Sequence, residues 1–232
     1  MAAVLTGTPV FIDWGTGANP AGQSITIPAD CTEVDEFWRY YSSSSADLVA
    51  ATLNGVSYSQ VYTEPGNGTQ DGRGVIGWYN PATGSQTLDV EWANDPSTNL
   101  APTMVAFVKD GDLTAWRDAD AAFAPDVGPV SVTLTTVAGD LVIKNDTSAG
   151  SAPSLSAGWT SGLTATLNSL PARLSYIDAT GSSQVCDCED DFYSTIVAIS
   201  IPAAAPPVAG KVIDYSKFPI EKLAAGPRGL LQ

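Results

Sequence analysis

The sequence predicts an all-β protein: an antiparallel two-sheet β-sandwich, jelly-roll-like, with an extended C-terminal arm. Roughly a dozen short apolar runs recur at a spacing of about ten residues, each bounded by Gly, Pro, Asn, Asp or Ser, which is how an antiparallel sandwich reads in sequence. Only one stretch has helical spacing. The end of the chain also departs from the rest in charge and proline content. With 232 residues, one large sandwich is a sufficient architecture, so the expected division is a β-sandwich domain over 1–202 and an arm over 203–232.

The elements follow in order. VLTGTPVFI (4–12) and QSITIP (23–28) read as opening strands separated by the turn-rich GTGANPAG. In VDEFWRYY (34–41), Val34, Glu36, Trp38 and Tyr40 point one way and Asp35, Phe37, Arg39 and Tyr41 the other. Neither face is cleanly apolar, so one face is expected to meet a loop or a partner. Residues 51–92 read as an antiparallel meander. Asn54-Gly55 suits a type I′ hairpin turn, because both residues tolerate positive φ. Glu64 to Gly68 and Asn80 to Gly84 break the chain again before SQTLDVEW resumes strict alternation. The near-continuous apolar run at 102–109 is expected deep in the core.

WRDADAAFAP (116–125) is the stretch with helical spacing, ended by Pro125. VSVTLTT (130–136) and GDLVIKN (139–145) are expected to form a hairpin about Ala138-Gly139. LTATLNS, PARLSYID and STIVAISI complete the strands. No internal repeat is evident.

Composition narrows function. The formal charge is −15 with no histidine. That absence excludes Ser-His-Asp and Cys-His nucleophile systems and every His-ligated metal site. Residues 1–210 carry 6 basic and 23 acidic side chains, and 211–232 carry 4 and 2. An acidic body is a poor ligand for phosphate backbones, so no nucleic-acid partner is expected. No stretch approaches the roughly 20 apolar residues of a membrane helix, so no membrane is expected either. Cys31, Cys186 and Cys188 form no CxxC pair. The N-terminus lacks a signal-peptide pattern, so folding in a reducing cytoplasm is expected.

Several groups invite a chemical reading. Asp112, Asp118 and Asp120 could present oxygens to calcium, although they lack the ligand count of an EF-hand loop and read more simply as solvated turn acids. Cys186-Asp187-Cys188-Glu189-Asp190-Asp191 could hold a soft cation or a disulfide, and reads more simply as an acidic loop. Asp35, Glu36, Asp89 and Glu91 could supply a glycosidase pair, and read more simply as the polar face of a sheet. Trp14, Tyr58, Tyr62, Trp78 and Tyr79 could stack on sugars, or pack in a core or against another subunit. No catalytic residue, metal or cofactor is expected.

ITIPADCTEVDEFW, LNGVSYSQV, GWYNPATGSQTLDVEW and MVAFVKD, in that order over about residues 23–110, resemble jelly-roll-like β-sandwich modules found in tailed bacteriophages and in secreted bacterial surface proteins. These motifs are strand and turn signals, and the resemblance transfers no catalytic residue. Together with the lack of motif chemistry and the distinct arm, it implies a structural virion protein, assembled in the host cytoplasm, that decorates or cements a capsid. The expected partner is the major capsid protein or another virion protein. A homo-oligomer is expected, a trimer in which VDEFWRYY meets a neighbour. The alternative is a carbohydrate- or receptor-binding module of a tail or cell surface.

The arm supplies the partner-binding candidates. Pro202, Pro206 and Pro207 end the last strand, because proline cannot donate to a ladder. Beyond them Tyr215, Phe218, Ile220, Leu223, Leu230 and Leu231 offer apolar anchors. Lys211, Lys217, Lys222 and Arg228 give the strip a sign opposite to that of the body.

Overall fold

The computed structural model describes residues 2–15, 20–40, 48–64, 72–93, 103–124, 129–149, 151–188 and 193–204. Its regular elements are strands, paired into four antiparallel sheets. The first sheet is six-stranded. It holds β1 (Val4–Leu5), β2 (Val10–Ile12), β4 (Glu33–Tyr40), β7 (Gln60–Glu64), β8 (Gly72–Tyr79) and β10 (Thr103–Lys109). Their order is β1-β10-β4-β8-β7, with β2 also on β10. The second is four-stranded, in the order β3-β9-β5-β6, from β3 (Gln23–Ile27), β5 (Leu48–Leu53), β6 (Val56–Ser57) and β9 (Gly84–Trp92). The third holds β11 (Asp118–Ala124), β13 (Leu141–Thr147), β14 (Thr160–Leu167), β15 (Leu170–Asp178) and β17 (Ser194–Ile201), in the order β11-β17-β13-β15-β14. The fourth is the pair β12 (Val130–Thr135) and β16 (Ser183–Cys188). Among the described residues no helix is long and apolar enough to cross a membrane.

Three apolar clusters stack these sheets in layers. One lies between the four- and six-stranded sheets, with Ile25, Leu53, Leu88 and Trp92 facing Val34, Trp38, Ile76 and Phe107. A second lies between the six- and five-stranded sheets, with Phe37, Val75, Met104 and Val108 facing Ile143, Leu174, Val197 and Ile199. The third joins the five-stranded sheet to the outer pair through Val142, Ile196 and Ala198 against Val132, Leu134, Cys186 and Cys188. The two middle sheets are thus covered on both faces. This explains the continuous burial of β8, β10, β13 and β17, since a strand with apolar contact on both sides has no need of alternation.

The all-β class follows from the sequence as expected, but the layering differs from a two-sheet sandwich. No sheet mixes strands from residues 4–109 with strands from 118–201. The two sets also repeat one order. In the first half the opening strand, the last strand, β4 and β8 lie side by side with β7 at the edge. In the second, β11, β17, β13 and β15 do the same with β14 at the edge. The facing sheets repeat it as well: β3 beside β9, and β12 beside β16. The sequence hides this repeat because only the topology, not the side chains, is duplicated.

Local expectations divide. Asn54 and Gly55 have φ of 51° and 80°, and Thr52 and Leu53 pair with Ser57 and Val56 across them. The meander does not run unbroken through 51–92. β7 and β8 make a hairpin in one sheet, and the Asn80–Gly84 turn then carries the chain across the core, so that β9 lies between β3 and β5. Likewise Gly139, with φ of 94°, turns the chain between β12 and β13, which join different sheets instead of pairing. The helix expected over 116–125 is strand β11, paired with β17 along its length. Four alanines and a phenylalanine there fit a ladder as readily as a short helix, and the free edge of β17 decides between them. Cys186 and Cys188 lie buried in β16, not in an acidic loop, and none of the three cysteines is in a disulfide.

Phe37 has no exposed surface and sits in the middle cluster, while Trp38 faces the other core. Over the described part of β4 both faces are filled by the chain itself, which removes the reason for a trimer contact there. Tyr41 lies outside the described residues. Phe37→Ala should cost about 3–5 kcal/mol, the usual loss for a buried phenylalanine whose cavity cannot collapse. Urea unfolding measures it, and a loss under about 1 kcal/mol would mean that the two halves barely depend on this contact.

Candidate functional site

The described residue cluster with most chemical potential lies where β4 begins and the two halves join. The inward face of β4 toward the second half reads Glu33, Asp35, Phe37, Arg39, so two acids precede the apolar middle and a guanidinium follows it. Glu33, Asp35 and Glu36 are all fully buried. The connection between the halves, residues 110–117, lays Trp116 over the first two. Its indole N–H donates to Glu33 Oε1 at 2.9 Å and to Asp35 Oδ1 at 3.1 Å. Gln60 on β7 donates to the same Glu33 oxygen at 3.2 Å, and its own carbonyl accepts the Trp116 backbone N–H at 2.9 Å. Gly77 on β8 makes the space. A Cβ there would stand 2.9 Å from the Trp116 ring and 3.0 Å from Asp35 Oδ1.

Glu33 Oε2 and Asp35 Oδ2 have no N–H or O–H donor from other groups. The two carboxyls act on each other's proton affinity, and two buried like charges side by side favour a proton on one of them. Burial pushes Asp35 up to about 7, against the lowering by the Trp116 and Glu33 hydrogen bonds. Burial, and next the charge of Asp35, raise Glu33 well above the usual carboxylate range. Tyr79 on β8 and Asp112 on the connection face the same pair, and Tyr79 is raised by burial and by these acids. Glu36 points into the opposite core, where burial lifts it to about 8 against the lowering by Trp14. Burial and mutual repulsion thus favour protonation of this pair beneath the Trp116 indole.

The far end of β4 has the opposite sign. Arg39 donates to Thr147 Oγ1 at 2.7 Å and to the Tyr193 carbonyl at 3.1 Å. Arg39 and Arg73 both lie over the Phe123 ring, at 5.9 and 5.7 Å. A third polar group sits in the second half. Lys144 Nζ is 2.8 Å from Asp146 Oδ2 and 4.8 Å from the Trp159 ring centre, and it donates to the Asp187 carbonyl. Burial pushes Asp146 up to about 7 despite this cation.

The residues singled out from sequence scatter over the fold. Asp35 and Glu36 are buried on opposite faces, not the polar face of a sheet, while Asp89 and Glu91 are exposed on the outer side of β9. The four make no carboxylate pair. Asp118 accepts the Ala119 and Thr135 N–H groups, Asp120 the Ala121 N–H, and Asp112 the Thr114 N–H. Among the described residues no group of three or more acids and cysteines could hold a metal. Trp14 and Trp78 are core residues, and Tyr58, Tyr62 and Tyr79 are half-buried. The arm candidates Lys211, Tyr215, Lys217, Phe218, Ile220, Lys222, Leu223, Arg228, Leu230 and Leu231 lie outside the described residues. Glu33, Gln60 and Trp116 were not legible as a group, since they come from three separated stretches. The run Glu33-x-Asp35-Glu36 inside an aromatic strand was the available signal.

No family model matches the chain, and no curated protein and no solved structure matches it either.

The buried acids set the sign of the pH dependence. Their folded-state values lie above the ordinary 3.8 and 4.5, so the folded protein binds more protons than the unfolded chain. Their stabilising contribution is full below about pH 4 and is lost as pH rises through about 7 to 8. Thermal unfolding followed from pH 5 to 8 should show Tm falling with pH. Glu33→Gln, which cannot titrate, should flatten that slope. A Tm independent of pH, or the same slope in the variant, would mean that Glu33 does not contribute to it.

Proposed function

We propose that the chain is a structural protein of tailed-phage particles, a capsid decoration or cement protein held in place by residues 211–232. The strand order carries the reading. In the first half β1-β10-β4-β8 faces β3-β9-β5-β6. A folded-over double Greek key produces this order, the jelly roll that recurs in viral capsid and lectin domains. The second half follows the same plan, and its inner sheet packs on the first through an apolar layer. Such a stack is stiff, because its two middle sheets cannot move apart without exposing cores on both sides. The burial of Trp14 and Trp78 favours this over the carbohydrate-binding alternative, which needs aromatic faces in solvent. The partner is the major capsid protein or another virion protein, and the arm lies on the shell or on a neighbouring copy.

Deleting residues 211–232 should leave a folded, soluble protein that no longer co-sediments with particles, whereas binding of the truncated chain at full occupancy would refute the arm as the attachment. Because the body is strongly acidic, self-association should be tolerated or favoured by moderate salt, which screens repulsion between copies. Light scattering across a salt series tests this, and tighter association at low ionic strength would reverse it.

A further inference from the structure

Lys144 and Asp146 meet in full burial. Neither side chain has exposed surface, and Nζ stands 2.8 Å from Oδ2. They lie two residues apart on β13, on the face that Val142 turns toward the outer pair of strands. The other directions around Nζ are taken: it donates to the Asp187 carbonyl on β16 and to Ser156 Oγ at 3.4 Å, and the Trp159 ring centre is 4.8 Å away. Asp146 is less well supported. Among the described residues neither of its oxygens accepts a hydrogen bond from any group but the lysine, and Arg173, opposite it in the ladder, acts on it through charge. A carboxylate out of water with so few donors is poorly held as an ion. Passing a proton from Nζ to Asp146 replaces two buried charges by two neutral groups, and burial pushes Asp146 that way, up to about 7 against the pull of Lys144. The neutral amine keeps two N–H groups for its two acceptors, the Asp187 carbonyl and Ser156 Oγ. Its lone pair is then left for the Asp146 carboxyl.

We propose that Lys144 and Asp146 condense to an amide, a covalent modification that the folded chain makes on itself. The lone pair of Nζ adds to Asp146 Cγ, which is one bond from Oδ2 and so within reach. The bond from Cγ to the protonated oxygen then breaks, the amine gives up a proton, and the two leave as water. Nothing is oxidised or reduced, and no co-reactant enters. Contact supplies the rate, since groups held at reacting distance behave as if present at roughly 10⁵ M or more. Burial supplies the reactive forms. Lys109 and Asp30 approach as closely, 2.9 Å, but in solvent, where ammonium and carboxylate are the stable states and neither reacts. Around Lys144 the Trp159 ring and the packed strands keep out the water that would reverse the step. The product is neutral, which ends the cost of holding two ions in the core, and it braces β13, the central strand of its sheet. This modification stands apart from the particle-attachment reading and from residues 211–232.

Mass spectrometry of the full-length protein tests it, after prolonged incubation of the folded chain at neutral pH. The expected intact mass, measured after unfolding, is one water below the sequence mass. Trypsin should leave residues 118–173 as a single peptide, uncut at Lys144 and one water light, because an acylated lysine is no longer a cleavage site. Fragmentation of that peptide should place the loss between Lys144 and Asp146. Lys144→Arg keeps the charge but not the nucleophile and should restore the full mass. The double variant Lys144→Met/Asp146→Leu, which leaves no lone buried charge, should do the same and serves if the single variant fails to fold. Protein held unfolded in urea throughout should keep its full mass, since the proximity and the burial are then gone. A folded wild-type chain of full mass that is cut at Lys144 would overturn the proposal. So would a water loss that persists in Lys144→Arg or in the double variant, which would place it elsewhere in the chain.

Discussion

The face-to-face contact between the six- and five-stranded sheets is the constraint on which the rest of the molecule depends. Each of these sheets already packs on an outer sheet, so the contact leaves their strands without a solvent face. Any polar side chain on the inner surfaces must then be neutralised or paired where it stands, because an isolated buried charge is prohibitively unstable. The chain uses all the available remedies. Glu33 and Asp35 lie beneath Trp116, where burial favours their protonated forms. Arg39 is spread over a hydroxyl, a carbonyl and an aromatic face. Lys144 takes Asp146 as counter-ion and Trp159 as a lid. Polar groups thus lie at both ends of β4 with the apolar cluster between them, which fixes how the two halves align along the strand as apolar contact alone would not.

That arrangement bears on how much was legible in the sequence. The all-β class and most strands could be read, because turns are written in local chemistry: Asn54-Gly55 takes positive φ and the hairpin closes there. What could not be read is which strand lies beside which. β8 and β9 are joined by a turn that looks like another hairpin, yet they sit in different sheets. The difference is made by Trp78 and Leu88, which face each other across a core and not along a ladder. β11 misled for a related reason. Alanine-rich segments carry little intrinsic preference, and the exposed edge of β17 settles the matter through tertiary contact.

The candidate site was half visible. Three acids in a strand of aromatics were plain, but alternation assigned them to a wet face, since one dry face is the ordinary case for an antiparallel strand. The error came from the assumption of two sheets. With four layers both faces of β4 are dry, and the same acids change from solvated groups into proton holders. Trp116, which lids them, lies 83 residues from Glu33, and no spacing rule reaches that far.

The buried protons also change what the formal charge means. Four of the acids, Glu33, Asp35, Glu36 and Asp146, have no contact with water, and their raised affinity for protons withdraws part of their charge near neutral pH. The field that neighbours feel therefore comes from exposed groups such as Asp89 and Glu91, on the outer faces. Copies of such a body repel when brought face to face, and the repulsion falls away beyond about a Debye length, ~8 Å at physiological salt. In the sequence the sign of the charge reverses after residue 210, where four basic side chains stand against two acidic ones, and a stretch of that sign is attracted by the same outer faces that hold copies apart.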